Sequence, residues 1–239
     1  MKILIKVLFI IIFILPFFIY GQNVENVKHI KERTSFKLYW FVMVETGPSW
    51  SHTDLAKNKF LPDLNNNGYN IQFGGGLQFS PVFSIYDKYG YGSITDGNYN
   101  VISPTEGLNA CWGRDMGSEI TYFENNTNLN INLSNLFSGY RDRTVNIGIH
   151  LGLGFTWWKS TTFDLNTGVE IANSGNIRIR NFSIPVGINI DFRINHLVNF
   201  YVDQSYVWNN NDLVDGVKSD TMKLKDLWSH LNIGIRFKF

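Results

Sequence analysis

Cysteine is almost missing from this chain: Cys111 is the only one in 239 residues. One thiol excludes an internal disulfide and cannot build a zinc site, and Cys111, in a polar stretch, is read as incidental. An excess of either charge is also missing, because 21 basic residues face 20 acidic ones for a net +1. Without a basic field to attract phosphates, nucleic acid is excluded as a partner. Long hydrophobic runs are lacking beyond Tyr20, so no helical membrane span is expected in the mature chain. Proline is scarce at 6 residues, whereas glycine reaches 21 and aromatics 15%. That balance points to one β domain of the larger barrel or sandwich kind.

What the chain does have begins at its start. Lys2 and Lys6 precede an apolar run from Val7 to Tyr20, which ends at the small residue Gly21. Basic start, apolar middle and small exit make a secretory signal peptide over residues 1–21. Its removal leaves 19 basic and 20 acidic residues, a net of −1. Residues 22–35 contain the charged stretch NVENVKHIKERTS and are read as a short periplasmic lead.

From residue 36 to 239 the pattern is period two. Eight strands are expected: Phe36–Thr46, Asn70–Ser80, Val82–Ser93, Ile120–Ser134, Thr144–Trp158, Phe182–Arg193, Leu197–Trp208 and Leu227–Phe239. Val145, Ile147, Ile149, Leu151, Leu153, Phe155 and Trp157 alternate with polar or small residues. The last strand does the same with Leu231, Ile233, Ile235, Phe237 and Phe239. Alternation gives each strand one greasy and one wet face. Strand three fits least well, because neither parity suits both Asp87 and Lys88. In strand one, Tyr39, Phe41 and Met43 make the wet face partly apolar.

Connections alternate short and long. Turns near Ser80-Pro81, residues 138–143 and residues 193–196 oppose polar loops over residues 47–69, 94–119, 159–181 and 209–226. Short turns at one end and long loops at the other is the asymmetry of an eight-stranded antiparallel up-and-down transmembrane β-barrel. Such a barrel is expected in a bacterial outer membrane, with loops outside and both termini periplasmic. Trp157, Trp158, Trp208 and Trp228 fall where strands meet long loops and are expected to form an aromatic girdle.

Periodicity cannot tell a greasy face turned outward from one turned inward, as in a lipocalin. The wet row here holds charges and glycines, an unsuitable outer surface for a soluble sheet. An eight-stranded interior is just filled by side chains, and charges inside must pair. A lumen network drawing on Glu45, His150, Asp191, Arg193, Asp203, Arg236 and Lys238 is therefore expected. Glycines such as Gly187 and Gly234 would leave it room.

The stretch NGYNIQFGGGLQFSPVFSIYDKYGYGSITDG (Asn67–Gly97), the run NLNINLSNLF (Asn128–Phe137) and the ending DLWSHLNIGIRFKF resemble the OmpA-type outer-membrane barrels of Bacteroidota. In that family a peptidoglycan-binding domain often follows the barrel, but this sequence ends on the closing strand. The resemblance implies outer-membrane lipid as surroundings. It also implies that Phe237 and Phe239 act as an assembly signal for the barrel-insertion machinery.

Candidate chemistry is thin. Asp63, Asn65, Asn67 and Gly68 match the start of an EF-hand loop, but position twelve would be Gly74 instead of a bidentate Glu, so calcium binding of that kind fails. The five histidines show no metal-ligand spacing. No cofactor or metal is expected. Ser51 with His52, or Ser229 with His230, could be proposed as a lipid-directed catalytic pair, although no motif supports either. The reading is a non-catalytic scaffold whose long loops meet an extracellular partner. A narrow pore and a lipid-modifying enzyme are the alternatives.

Overall fold

The computed structural model describes residues 36–52, 68–98, 116–141, 143–173, 179–210 and 227–239. The expected signal (1–21), the lead (22–35), Cys111 and residues 63–67 lie outside the described residues. Phe36–Phe239 forms one compact unit. Its strands are β1 (Tyr39–Ser51), β2 (Gly68–Gln78), β3 (Phe83–Asn98), β4 (Met116–Asn132), β5 (Val145–Asp164), β6 (Glu170–Asn173), β7 (Ile179–Arg193), β8 (Val198–Asn209) and β9 (Leu227–Lys238). One short helix, α1 (Leu133–Ser138), follows β4.

Consecutive long strands pair antiparallel, and β9 returns to β1 with Phe41 opposite Lys238 and Ser51 opposite Trp228. That last ladder closes the sheet, so the eight-stranded antiparallel barrel expected from alternation is the fold observed. The four-residue β6 pairs with the tip of β5, around Thr161 opposite Asn173. β7 pairs with β5 lower down, from Val145 to Trp158. β6 therefore extends one hairpin and adds no member to the ring.

The rows separate as their chemistry requires. Leu153 and Ile188 are 58% and 56% exposed, whereas Glu45 and Asp203 are 2% and 1% exposed. Most aliphatic side chains point out of the ring and most carboxylates point into it, the reverse of a soluble barrel. An outer surface this apolar is not sustained in water, and a closed barrel is the strand structure whose backbone groups are all paired within lipid. The barrel is transmembrane, and no described helix is long and apolar enough to cross a membrane.

Several strands run further than alternation alone indicated. β1 continues past Thr46 to Ser51, β3 reaches Asn98, β4 starts at Met116 and β5 extends to Asp164. Pro48 lies inside β1 because it keeps its partner Tyr69 on β2 while the ladder to β9 skips residues 47 and 48. Pro185 sits in β7 the same way, where pairing to β5 jumps from Val186 to Ser183. A residue without an N–H fits a strand wherever the ladder is already interrupted.

The short-turn end is built by side-chain caps. Strand four was expected to reach Ser134, but Asn132 accepts a hydrogen bond from the Asn135 N–H at 2.9 Å and starts α1 instead. An Asn in extended conformation followed by free N–H groups is a strong helix start. Between β7 and β8, Asn195 Oδ1 accepts from the N–H groups of Leu197 and Val198, both at 2.8 Å. At the opposite end Gly168, with φ of 68°, turns the chain from β5 towards β6.

Candidate functional site: a filled lumen

Near the short turns, Arg236 Nη1 lies 2.9 Å from Asp191 Oδ1. Its guanidinium stands 4.8 Å from the Phe41 ring and 5.1 Å from the Tyr201 ring. A buried guanidinium with a carboxylate on one side and π-faces on the others is well matched. Phe41, Met43, Tyr86 and Tyr201 pack together as an inward apolar layer. The partly greasy "wet" face of strand one is thus a lumen layer.

Above it sits a charged layer. Lys88 Nζ lies 2.7 Å from Glu45 Oε1 and 2.9 Å from Asp203 Oδ2. The second oxygen of Asp203 meets His150 Nε2 at 2.9 Å. Tyr201 donates its hydroxyl to Glu45 Oε2, and Asn232 Nδ2 donates to Glu45 Oε1 at 2.9 Å. Residues of β1, β3, β5, β8 and β9 therefore meet across the lumen. Glycine allows the approach: a side chain at 234 would come 2.7 Å from Tyr201 Cζ and 2.8 Å from Glu45 Cβ.

Asn232 also accepts from Asn70 Nδ2 at 2.8 Å, which ties this layer to the next. There Gln72 Nε2 donates to Glu124 Oε1 at 2.7 Å, and that oxygen lies 3.6 Å from His230 Nε2. His230 Nδ1 meets Ser49 Oγ at 2.9 Å, and Ser49 Oγ meets the Tyr122 hydroxyl at 3.0 Å. Between the two polar layers is a cavity of about 10 Å³, bordered by Lys88, Glu124, His150 and His230. That is room for about one water. Toward the long loops comes a layer of Ile94, Ile120, Tyr122, Trp158, Val207 and Trp228, each 0–1% exposed, and inward polar residues beyond it, among them Ser118, Ser160 and Thr162, are buried too. Tyr122 stacks on Trp228 at 4.9 Å between centroids.

Of the seven residues expected in the lumen network, five are buried in the lumen: Glu45, His150, Asp191, Asp203 and Arg236. They form two groups, Asp191 with Arg236 and Glu45 with Asp203 and His150, the latter joined by Lys88. Arg193 and Lys238 are half-buried at the short-turn rim, where Lys238 Nζ stands 5.6 Å from the Tyr39 ring. Lys88, which fitted strand three poorly by sequence, and Glu124 are lumen residues outside the expected network. The signal for Lys88 was its parity with Tyr86, Gly90 and Gly92, the inward row of β3.

The girdle needs correction. Trp157 and Trp208 point outward and are half-buried, but Trp158 and Trp228 are 1% and 0% exposed inside the lumen. Adjacent Trp157 and Trp158 cannot share a face in a strand, and Trp228 has the parity of His230, Asn232 and Arg236. Phe237 and Phe239 face outward and are exposed. As for the serine–histidine pairs, the contacts cross between strands: His52 Nε2 meets Ser229 Oγ at 2.9 Å, and His230 meets Ser49. Ser229 and Ser49 are both 0% exposed.

No protein-family model and no curated protein matches the sequence. Solved structures similar to the chain include Neisserial surface protein A (NspA), 11% identical over 85% of this chain and 100% of that one, TM-score 0.46. Another is Ail, the attachment invasion locus protein of Yersinia pestis, at 13% over 85% and 100%, TM-score 0.43. A third is a major outer membrane protein from Thermus thermophilus, at 9% over 85% and 100%, TM-score 0.47. At these values neither family nor role is taken from the likeness.

Proposed function

We propose that this chain is an outer-membrane scaffold barrel that neither conducts nor catalyses, holding its long loops outside the cell for a partner, with both termini periplasmic. Closure of the lumen carries this reading. A charge-paired layer around Lys88 and a hydrogen-bonded polar layer around Glu124 lie between an apolar layer of Phe41, Met43, Tyr86 and Tyr201 and another of Ile94, Ile120, Trp158 and Trp228. An ion passing through would have to shed its water against these rings and break buried pairs. The short-turn and long-loop asymmetry supports the orientation, and the quoted sequence segments support kinship with OmpA-type barrels. The exposed row ending in Phe237 and Phe239 suits recognition by the barrel-insertion machinery.

Single-channel recording of the full chain in planar bilayers tests the closed lumen. Silence is expected, and a steady, reproducible conductance would favour the narrow pore. Lipid profiles of cells with and without the gene are expected to coincide; a lipid species missing from the deletion strain would favour an enzyme.

A further inference from the structure

Positive charge collects at the short-turn end of the barrel. Of the nine lysines and arginines among the described residues, six lie there: Lys37, Arg141, Arg143, Arg193, Arg236 and Lys238. Of the nine aspartates and glutamates, only Asp191 does, and Arg236 holds it at 2.9 Å. Asp142, outside the described residues, adds one carboxylate by sequence. Lys37, Arg141, Arg143 and Lys238 have no ion pair among the described residues. At the long-loop end Glu119, Asp164 and Glu170 are set against Lys159 and Arg180, so charge there is close to balanced.

The turn that carries two of these cations is built inside out for a protein in water. Asn135 of α1 is buried; its Nδ2 donates to the Pro81 carbonyl at 2.8 Å, and its Oδ1 accepts from Arg143 Nη1 at 2.6 Å. Arg143 Nη2 also donates to the Gly139 carbonyl at 3.1 Å. These bonds fix α1 with a polar side against the barrel and leave Leu136 and Phe137 outward, Phe137 at 81% exposure. Ile194, in the turn between β7 and β8, is 64% exposed next to Arg193. Apolar side chains held outward beside basic ones suit the boundary where acyl chains give way to headgroups.

We propose that the short-turn rim binds anionic phospholipid, with Lys37, Arg141 and Lys238 on the phosphodiester headgroups and Leu136, Phe137 and Ile194 among the first acyl carbons. Arg143, already bonded to Asn135, holds the turn in place. A guanidinium grips phosphate oxygens through parallel N–H donors, and each basic side chain near an anionic surface adds attraction. Charge complementarity selects a headgroup of net negative charge over a zwitterionic one, whose ammonium would meet the same cations. The inference goes beyond the scaffold reading and needs only that the barrel spans lipid, whichever leaflet its short turns meet.

The test is the lipid selectivity of the full chain in mixed bilayers. Electron spin resonance reads the association of spin-labelled phosphatidylglycerol relative to spin-labelled phosphatidylcholine. A preference for phosphatidylglycerol that weakens with salt is expected. Arg141→Gln combined with Lys238→Gln should lower that preference roughly fivefold. Lys159→Gln combined with Arg180→Gln, at the other end, should leave it in place. A shift in gel migration on boiling verifies that each barrel is folded. Equal association of the two lipids overturns the proposal. So does a preference that survives in the first folded variant, or one lost in the second, which would put the anionic lipid at the long-loop end.

Discussion

Lys88 Nζ lies 2.7 Å from Glu45 Oε1, with both side chains enclosed in the middle of the lumen. The two residues come from β1 and β3, with β2 between them, so the bond passes in front of a strand instead of joining neighbours. Gln72 and Gly74 are the inward β2 residues nearest this level. Bonds of this kind, together with Lys88 to Asp203 on β8, brace the ring across its diameter as well as around its wall.

Replacing Lys88 by Met leaves two buried carboxylates without their cation. A loss of about 3–5 kcal/mol is expected, because the penalty is that of unpaired buried charge. The triple change Lys88→Met with Glu45→Gln and Asp203→Asn removes the charges together and should recover most of that loss. Urea unfolding of the barrel in micelles, followed by gel migration, reads both. A Lys88→Met barrel as stable as the unsubstituted one would show that the layer is not charge-paired.

Trp157 and Trp158 are neighbours with opposite surroundings. Brominated acyl chains should quench the outward Trp157 and leave the enclosed Trp158 alone. Trp157→Phe is therefore expected to reduce lipid quenching of total tryptophan fluorescence, and Trp158→Phe to leave the quenched portion in place. Stability should move the other way: Trp158→Ala removes a ring from the upper apolar layer and should cost about 3–5 kcal/mol. Equal quenching losses in the two Phe variants would contradict the assigned faces.

The cap on α1 gives a smaller effect at the short-turn end. Asn132→Ala removes the acceptor for the Asn135 N–H, and a loss of about 1 kcal/mol is expected in the same unfolding assay. Hydrogen exchange should quicken in α1 while the strands keep their protection. Uniformly faster exchange throughout the barrel would mean that Asn132 acts through β4 and not through the helix.

Strand number was readable from alternation, strand order from the short and long connections, and the face turned to lipid from the charges and glycines of the wet row. A wall one residue thick must alternate, and β5 and β9 do so almost without exception. The rule also held the answer for Trp158, Trp228 and Lys88, whose parities put them inside. The girdle expectation weighed position along the strand and neglected parity. What alternation could not reveal is which inward groups meet. Lys88 reaches Glu45 and Asp203 across the lumen, a relationship fixed by strand stagger and side-chain length. Strand ends were misjudged where polar residues continue a ladder above the apolar band, as in Thr161 and Thr162 of β5. The helix α1 was hidden because a run of Asn, Leu and Ser suits a strand until Asn132 caps the next turn.

Gly234 tests whether the inward glycines serve the charged layer or merely soften the strand. A side chain there meets the Val44 carbonyl oxygen, the ring of Tyr201 and the Cβ of Glu45, and the last two belong to residues that bond to each other. Gly234→Val should therefore push Tyr201 off Glu45 and lower stability by about 1–3 kcal/mol, the usual result of overpacking. A Gly234→Ala change combined with Tyr201→Leu, which takes away the ring hydroxyl and much of the ring's bulk, should be milder than the sum of the two alone, since the residues share one space. Strict additivity in that cycle would place the glycine's role in the strand itself or in clearing the Val44 carbonyl, and not in making room for the Tyr201–Glu45 bond.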